Sequence, residues 1–117
     1  MIWDIDVSLV EEWIKSLDPV SMQRVISALD ILEEEGPALG RPLVDSIKGS
    51  RHKNMKELRP GSVGVTELRI LFIFDPERRA ILLVAGDKRG QWSDWYRRNI
   101  PIAETRYDAH LWKLRNE

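Results

Sequence analysis

Cysteine is absent from the 117 residues, and with it go disulfides, thiol nucleophiles and thiolate metal centres. Histidine is nearly absent. His52 and His110 are the two present, far apart and without ligand spacing around them, so no metal site is expected. Long apolar runs are missing as well: the longest candidate, ILFIFDPERRAILLVAG, is interrupted by DPERR and falls short of the roughly 20 apolar residues of a membrane span. The N-terminal MIWDIDVSLVEE carries carboxylates where a secretion signal would carry basic residues. These absences predict a cytoplasmic chain without metal, cofactor or membrane contact. Also missing are a phosphate-cradling glycine loop, an HExxH pair, a nucleophile elbow and any Ser/His/Asp set that would fall in one site.

What is present describes a globular chain: 43% hydrophobic residues, 32% charged residues and five tryptophans, in a length that supports one domain over residues 1–117. The net charge of −1 conceals an uneven distribution. Residues 1–40 hold two Lys/Arg against nine Asp/Glu, whereas residues 41–117 hold sixteen against ten. The basic half is therefore suited to an anionic partner, or else to the acidic half of its own chain.

Alternation in MIWDIDVS predicts a strand with one buried face. Ser8 with Glu11 forms a capping-box pattern ahead of a helix through Leu17. Asp18 and Pro19 start a second helix, with Met22, Val25, Ile26, Leu29 and Leu32 as its apolar stripe and Gly36 as its end. Residues 37–53 read as a loop. Three strands follow, NMKELRP, VTELRILFIFD and RAILLVAG, the last two joined by a turn with Pro76 at its second position. The central strands are apolar on both faces, and helices are expected to cover one side. A basic loop after Gly86 leads to a final helix whose second part places Pro101 in its first turn. The order β-α-α-β-β-β-α predicts an α+β domain: a small antiparallel sheet packed by an N-terminal helical hairpin and a C-terminal helix.

The second half carries cations at the ends and faces of this sheet: Arg51, Lys53, Lys56, Arg59, Arg69, Lys88, Arg89, Arg97 and Arg98. On the MKELR strand, alternation puts Glu57 and Arg59 on one face and Lys56 on the other. Arg69 is the one cation beside a long apolar run, and a charge there needs a partner. Either it makes an ion pair with Glu57 or Glu67 across the sheet, or its planar guanidinium faces a phosphate. Lys88 and Arg89 form either an ordinary charged turn or the edge of the same surface. Trp92, Trp95 and Tyr96 pack the last helix or stack on a ligand. Together these residues fit RNA cleavage without a metal, in which one group removes the 2′-hydroxyl proton, cations stabilise the phosphorane and another group protonates the leaving 5′-oxygen. Tyrosine and lysine serve as bases at neutral pH only if surrounding cations lower their pKa values, which a basic sheet face would do. A nearby ring can stack on an unpaired base.

LGRPLVDSIKGSRHKNMKELRP, followed by ELRILFIFDPERRAILLVAGDKRGQWSDWYRRNIPIAETRYDAHL, resembles the phage-derived Gp49-like, HigB-type branch of the RelE/ParE toxin superfamily over about residues 39–111. The resemblance implies a RelE-like fold and the toxin of a type II toxin–antitoxin system, an mRNA interferase acting at the ribosome without a metal. It implies a helix-turn-helix, HigA-like antitoxin as partner, with operator DNA reached only through that antitoxin. Position by position, it implies Arg69 as phosphate and transition-state contact, Lys88 and Arg89 as the basic pair of the site, and Tyr96 as acid-base or stacking residue. Lys53, Lys56 and Arg59 fall where family members carry cations. Arg51, His52, Trp92, Arg97 and Arg98 complete the expected RNA-binding surface. Glu57 stands where the best-studied relatives have a lysine, leaving the general base open. On the same scaffold two other functions remain open: ParE-like inhibition of DNA gyrase by binding, and a phage-derived protein-interaction module.

Overall fold

The computed structural model describes residues 2–61 and 64–117. The N-terminal alternation produces a short strand, β1 (Asp4–Asp6); Met1, where the predicted strand begins, lies outside the described residues. Helices α1 (Glu11–Lys15) and α2 (Pro19–Glu35) follow. Asp18 caps α2 as expected, its Oδ2 accepting the Ser21 backbone N–H at 3.0 Å, and Pro19 occupies the first turn. The capping box at Ser8 does not form. Ser8 donates its backbone N–H and its hydroxyl to Asp6 Oδ1 at 2.9 and 2.7 Å, so a carboxylate two residues back takes the N–H that Glu11 would accept and draws the hydroxyl away from the helix.

The buried stripe of α2 is Ser21, Val25, Ala28 and Leu32, rotated from the stripe of larger side chains read in the sequence, and it leaves Ile26 exposed. The small Ser21 and Ala28 let the helix lie close to the sheet. Gly36 ends α2 with φ at +59°, where a Cβ would run into the Trp3 indole.

The predicted loop over 37–53 contains a further strand, β2 (Val44–Ser46), too short to show a period in the sequence. Strands β3 (Lys56–Leu58), β4 (Leu68–Phe74) and β5 (Arg79–Asp87) match the three expected. The sheet has five strands in the order β1-β5-β4-β3-β2, and β1 runs parallel to β5, so it is mixed where an antiparallel sheet was expected. Strand direction depends on where the helical hairpin returns the chain, which no local pattern encodes.

Both faces are covered, not one. Leu68, Ile70, Phe72, Ala80 and Leu82 pack with α2, and Leu71, Ile73, Ile81, Leu83 and Val84 pack beneath α3 (Trp92–Arg115). Leu71 pairs with Val84 but Phe72 with Leu82, leaving Leu83 as an extra residue in β5. Arg106 of α3 donates to the Leu83 carbonyl at 2.6 Å and so satisfies the disrupted ladder. Helix α3 is continuous, with Pro101 in its interior and exposed to solvent, not at the start of a second segment. Among the described residues no helix is long and apolar enough to cross a membrane.

Candidate functional site

Strands β3, β4 and β5 bring one end of the sheet under the first turns of α3. Alternation puts Glu57 and Arg69 on the α3 face, and register sets Arg69 opposite Gly86. A Cβ at Gly86 would lie 2.8 Å from Trp95 Nε1, so the glycine permits the buried Trp95 to rest on the sheet. With Trp95 seated there, the next residue, Tyr96, reaches Glu57.

Glu57 is the hub. Its Oε1 accepts the Tyr96 hydroxyl at 3.0 Å and Arg59 Nε at 3.0 Å, and lies 3.1 Å from Arg69 Nε. The Arg69 Nε–H is not aligned on that oxygen and is buried without a hydrogen-bond partner, while Nη1 donates to the Leu68 carbonyl at 2.8 Å. Arg69 Nη2 is 4.0 Å from Glu67, which also lies 3.7 Å from Lys88 Nζ. Arg59 reaches Asp45 of β2 at 3.5 Å. Lys88 is itself buried, its ammonium 4.7 Å from the Trp92 ring centroid and 5.7 Å from that of Tyr96.

Three cations, Arg59, Arg69 and Lys88, thus face three carboxylates, Glu57, Glu67 and Asp45. The surplus of positive charge expected to lower the tyrosine pKa is absent at this point. Burial, with the charge of Glu57 and its hydrogen bond, pushes the Tyr96 phenol above its ordinary value against the opposing influence of Arg69. Tyr96 is therefore a protonated donor at neutral pH, not a free phenolate.

The other predicted residues divide into three groups. Arg89, Trp92, Arg97 and Arg98 lie exposed around the start of α3, next to the cluster. Arg97 pairs with Asp94 at 3.1 Å, and both line an open depression of about 480 Å³ with Gly90, Gln91 and Arg98. Trp92 is 65% exposed and adopts φ +40°, a rare conformation for a bulky side chain. Lys56 lies on the opposite face as alternation requires, donating to the Pro37 carbonyl at 3.3 Å. Arg51, His52 and Lys53 sit on the loop before β3, strapped to α3 some eight to twelve residues beyond Tyr96, roughly 12–18 Å along the helix.

In that strap Glu104 accepts the Arg51 N–H at 2.8 Å and the Ser50 hydroxyl at 3.0 Å. Asp108 binds both Arg51 guanidinium ends, and His52 Nε2 lies 2.9 Å from it. His52 also meets the buried Tyr107 edge-on at 4.9 Å. Arg51 first, then His52, lower the Asp108 carboxyl from 3.8 to about 2. A depressed carboxylate adds stability above its ordinary value, and that contribution is lost as pH falls through the lowered one, here between about 4 and 2. Arg51→Ala should move the Asp108 midpoint back toward 3.8 in an NMR titration of the carboxyl carbon; an unmoved midpoint would refute Arg51 as the main cause. Among the described residues no group of three or more His, Asp or Glu could hold a metal ion.

The sequence marks Glu57 as one of two partners for Arg69 and as the residue in the place of a relative's lysine, but not as the partner of Tyr96. Its bond to Tyr96 spans 39 residues and left no local signal.

A five-stranded mixed sheet with helices on its faces, and a cluster of arginine, lysine, glutamate and tyrosine at one end, define an α+β domain compatible with a RelE-like fold. The family described as "Phage derived protein Gp49-like (DUF891)" matches residues 12–108, and the chain belongs to it. It is similar to two proteins of Mycobacterium tuberculosis (strain ATCC 25618 / H37Rv). To "Putative toxin HigB2" it is 54% identical over 109 residues, covering 93% of this chain and 54% of that protein. To "Putative toxin HigB3" it is 55% identical over 102 residues, covering 87% of each. The chain thus spans about half the length of the first. No solved structure matches it.

Proposed function

We propose that the protein is the toxin of a type II toxin–antitoxin pair and that it cuts messenger RNA at the ribosome without a metal. Membership of the Gp49-like family and the names carried by the two relatives support the toxin reading. The observation that carries the catalytic reading is the convergence of Arg69, Lys88 and Tyr96, from β4, the loop after β5 and α3, around Glu57.

In this reading Arg69, with Arg59 and Lys88, stabilises the charge of the phosphorane. Tyr96 handles the 2′-hydroxyl. Arg89, Arg97 and Arg98 hold flanking phosphates, and Trp92 offers an exposed ring to an unpaired base. Arg51, His52 and Lys53 contact RNA farther along α3, and Lys56 lies on the far face. An arriving phosphate competes with Glu57 and Glu67 for the same cations, so the neutral cluster is the resting state that RNA must open. The partners are a helix-turn-helix, HigA-like antitoxin, which alone would reach operator DNA, and the translating ribosome in the cytoplasm.

Expressing the protein without its antitoxin, while following growth and translation and mapping transcript 5′ ends, tests this. Arrest with new cuts inside translated messages is the expected result. Arrest with intact messages and DNA damage signalling would point instead to gyrase inhibition, and normal growth to an interaction module.

A further inference from the structure

Glu57 stands at the centre of the cluster, and the reaction outlined above leaves it without a task. Its side chain is 5% exposed, less than Lys88 at 9% or Arg69 at 12%, and it is the least accessible of these charged groups to RNA. What it does touch is the Tyr96 hydroxyl. Tyr96 donates to Glu57 Oε1 at 3.0 Å, and Arg59 and Arg69 hold the same carboxylate oxygen at 3.0 and 3.1 Å. A phenol that donates to a carboxylate still carries a lone pair on its oxygen. That oxygen can accept one proton while passing its own onward.

We propose that Tyr96 and Glu57 form a proton relay, in which Tyr96 touches the RNA and Glu57 is the positioning residue behind it that receives the proton. The inference rests on the ribonuclease reading. The 2′-hydroxyl gives its proton to the Tyr96 oxygen as the phenolic proton moves to Glu57 Oε1. The 2′-oxygen bonds to phosphorus and the bond from phosphorus to the 5′-oxygen breaks. The leaving oxygen takes a proton from the Lys88 ammonium, yielding a 2′,3′-cyclic phosphate and a 5′-hydroxyl with no change of oxidation state. Solvent then removes the proton from Glu57 through Tyr96 and returns one to Lys88.

Three features favour the relay over simpler assignments. A base acting alone at Tyr96 would have to be a phenolate, which burial and the neighbouring carboxylate oppose. The attacking and leaving oxygens lie on opposite sides of phosphorus, so two residues in direct hydrogen bond serve one end together. Lys88, 5.7 Å from the Tyr96 ring centroid, is then available for the other. Finally, the groups around Glu57 keep it an anionic acceptor facing the phenol, so that the proton it takes is held only while the phosphorane forms. Arg59 at the end of β3 and Arg69 on β4 face it directly, Asp45 of β2 stands behind Arg59, and Glu67 and Lys88 close the open end.

The test is single-turnover cleavage of a message programmed on ribosomes, across a range of pH, by wild type, Glu57→Gln, Tyr96→Phe, the double variant and Arg69→Ala. Each relay variant should slow cleavage by roughly 10²-fold with little change in KM. The double variant should be no slower than either single one, because the two residues act as a unit. The acid limb of the wild-type pH profile should vanish in Glu57→Gln. Independent, multiplying losses, or an unchanged acid limb in Glu57→Gln, would overturn the relay. Tyr96→Phe keeps the ring, the carboxylate and both guanidinium groups, so it decides the matter even if Glu57→Gln folds poorly: wild-type rates in Tyr96→Phe overturn the relay. If Arg69→Ala is inactive while both relay variants cut normally, the relay alone fails. A wild type that arrests growth yet cuts no message removes the ribonuclease reading and the relay with it.

Discussion

On the proposed ribonuclease reading, Arg69→Ala should remain folded and bound by its antitoxin yet cause no growth arrest, with cleavage slowed by roughly 10²- to 10³-fold. The guanidinium is 12% exposed, between Glu57 at 3.1 Å and Glu67 at 4.0 Å, on the strand that runs beneath the mouth of the site. Sequence reading left two roles open for it, an ion pair across the sheet or a phosphate contact. The ion pair is present, and its geometry leaves Nε without a hydrogen bond, so the guanidinium is held in place without being saturated. That is the condition in which a planar donor can turn its remaining N–H groups to phosphate oxygens.

Removal of Arg69 should also cost little structure. Glu57 keeps Arg59 and Tyr96, and Glu67 keeps Lys88, so no carboxylate is left buried and unpaired. The stability loss should be about 1–3 kcal/mol. Arg69→Lys should recover the fold fully and the cleavage rate only in part, because an ammonium lacks the fork. Cleavage rates and thermal unfolding on the same samples separate the two effects. Full arrest by a folded Arg69→Ala would make this arginine a structural ion pair and nothing more.

Asp75→Ala should be strongly destabilising although it removes no apolar core, lowering the unfolding free energy by about 3 kcal/mol. The Asp75 side chain is fully buried at the β4–β5 turn. It accepts the Glu77 and Arg79 N–H groups at 2.9 Å each, the Arg79 guanidinium at 3.2 Å, and lies 2.7 Å from His110 Nε2 on α3. Without it, two turn N–H groups, a guanidinium and an imidazole lose their acceptor, and Arg78 loses support for its φ of +66°. Burial would raise the Asp75 carboxyl, but the Arg79 N–H, His110 and the Arg79 guanidinium outweigh it and hold the group below its ordinary value. A carboxylate lowered on folding stabilises at neutral pH and ceases to do so as pH falls through its lowered value. Urea unfolding at neutral and strongly acidic pH should therefore show the gap between wild type and Asp75→Asn narrowing in acid. A gap independent of pH would mean that the charge at Asp75 contributes nothing.

Much of the architecture was legible locally. The strand alternation of β4 and β5, the Asp18 cap, the Pro76 turn and the order of every element but β2 and the short 3₁₀ turn all rest on interactions between near neighbours, so composition and spacing reveal them. Ser8 and Pro101 were misread for a related reason: a nearby Asp6 redirected the first, and an established helix carried through the second. The residue types of the site were equally visible, because Arg69, Lys88 and Tyr96 stand out against apolar or turn surroundings.

What the amino-acid order determined by itself was this set of elements, the family, and the concentration of cations in the second half. Only the tertiary structure decided that β1 lies parallel to β5, that α3 covers a second face, and that three of those cations meet three carboxylates. Local pattern depends on steric and hydrophobic preferences that repeat every two or 3.6 residues. Charge balance depends on which side chains lie within a few ångströms in space, since Coulomb energy and desolvation follow distance, not sequence separation. That is why Tyr96 looked like a group that neighbouring cations would ionise, and why its hydrogen bond to a buried glutamate keeps its proton in place.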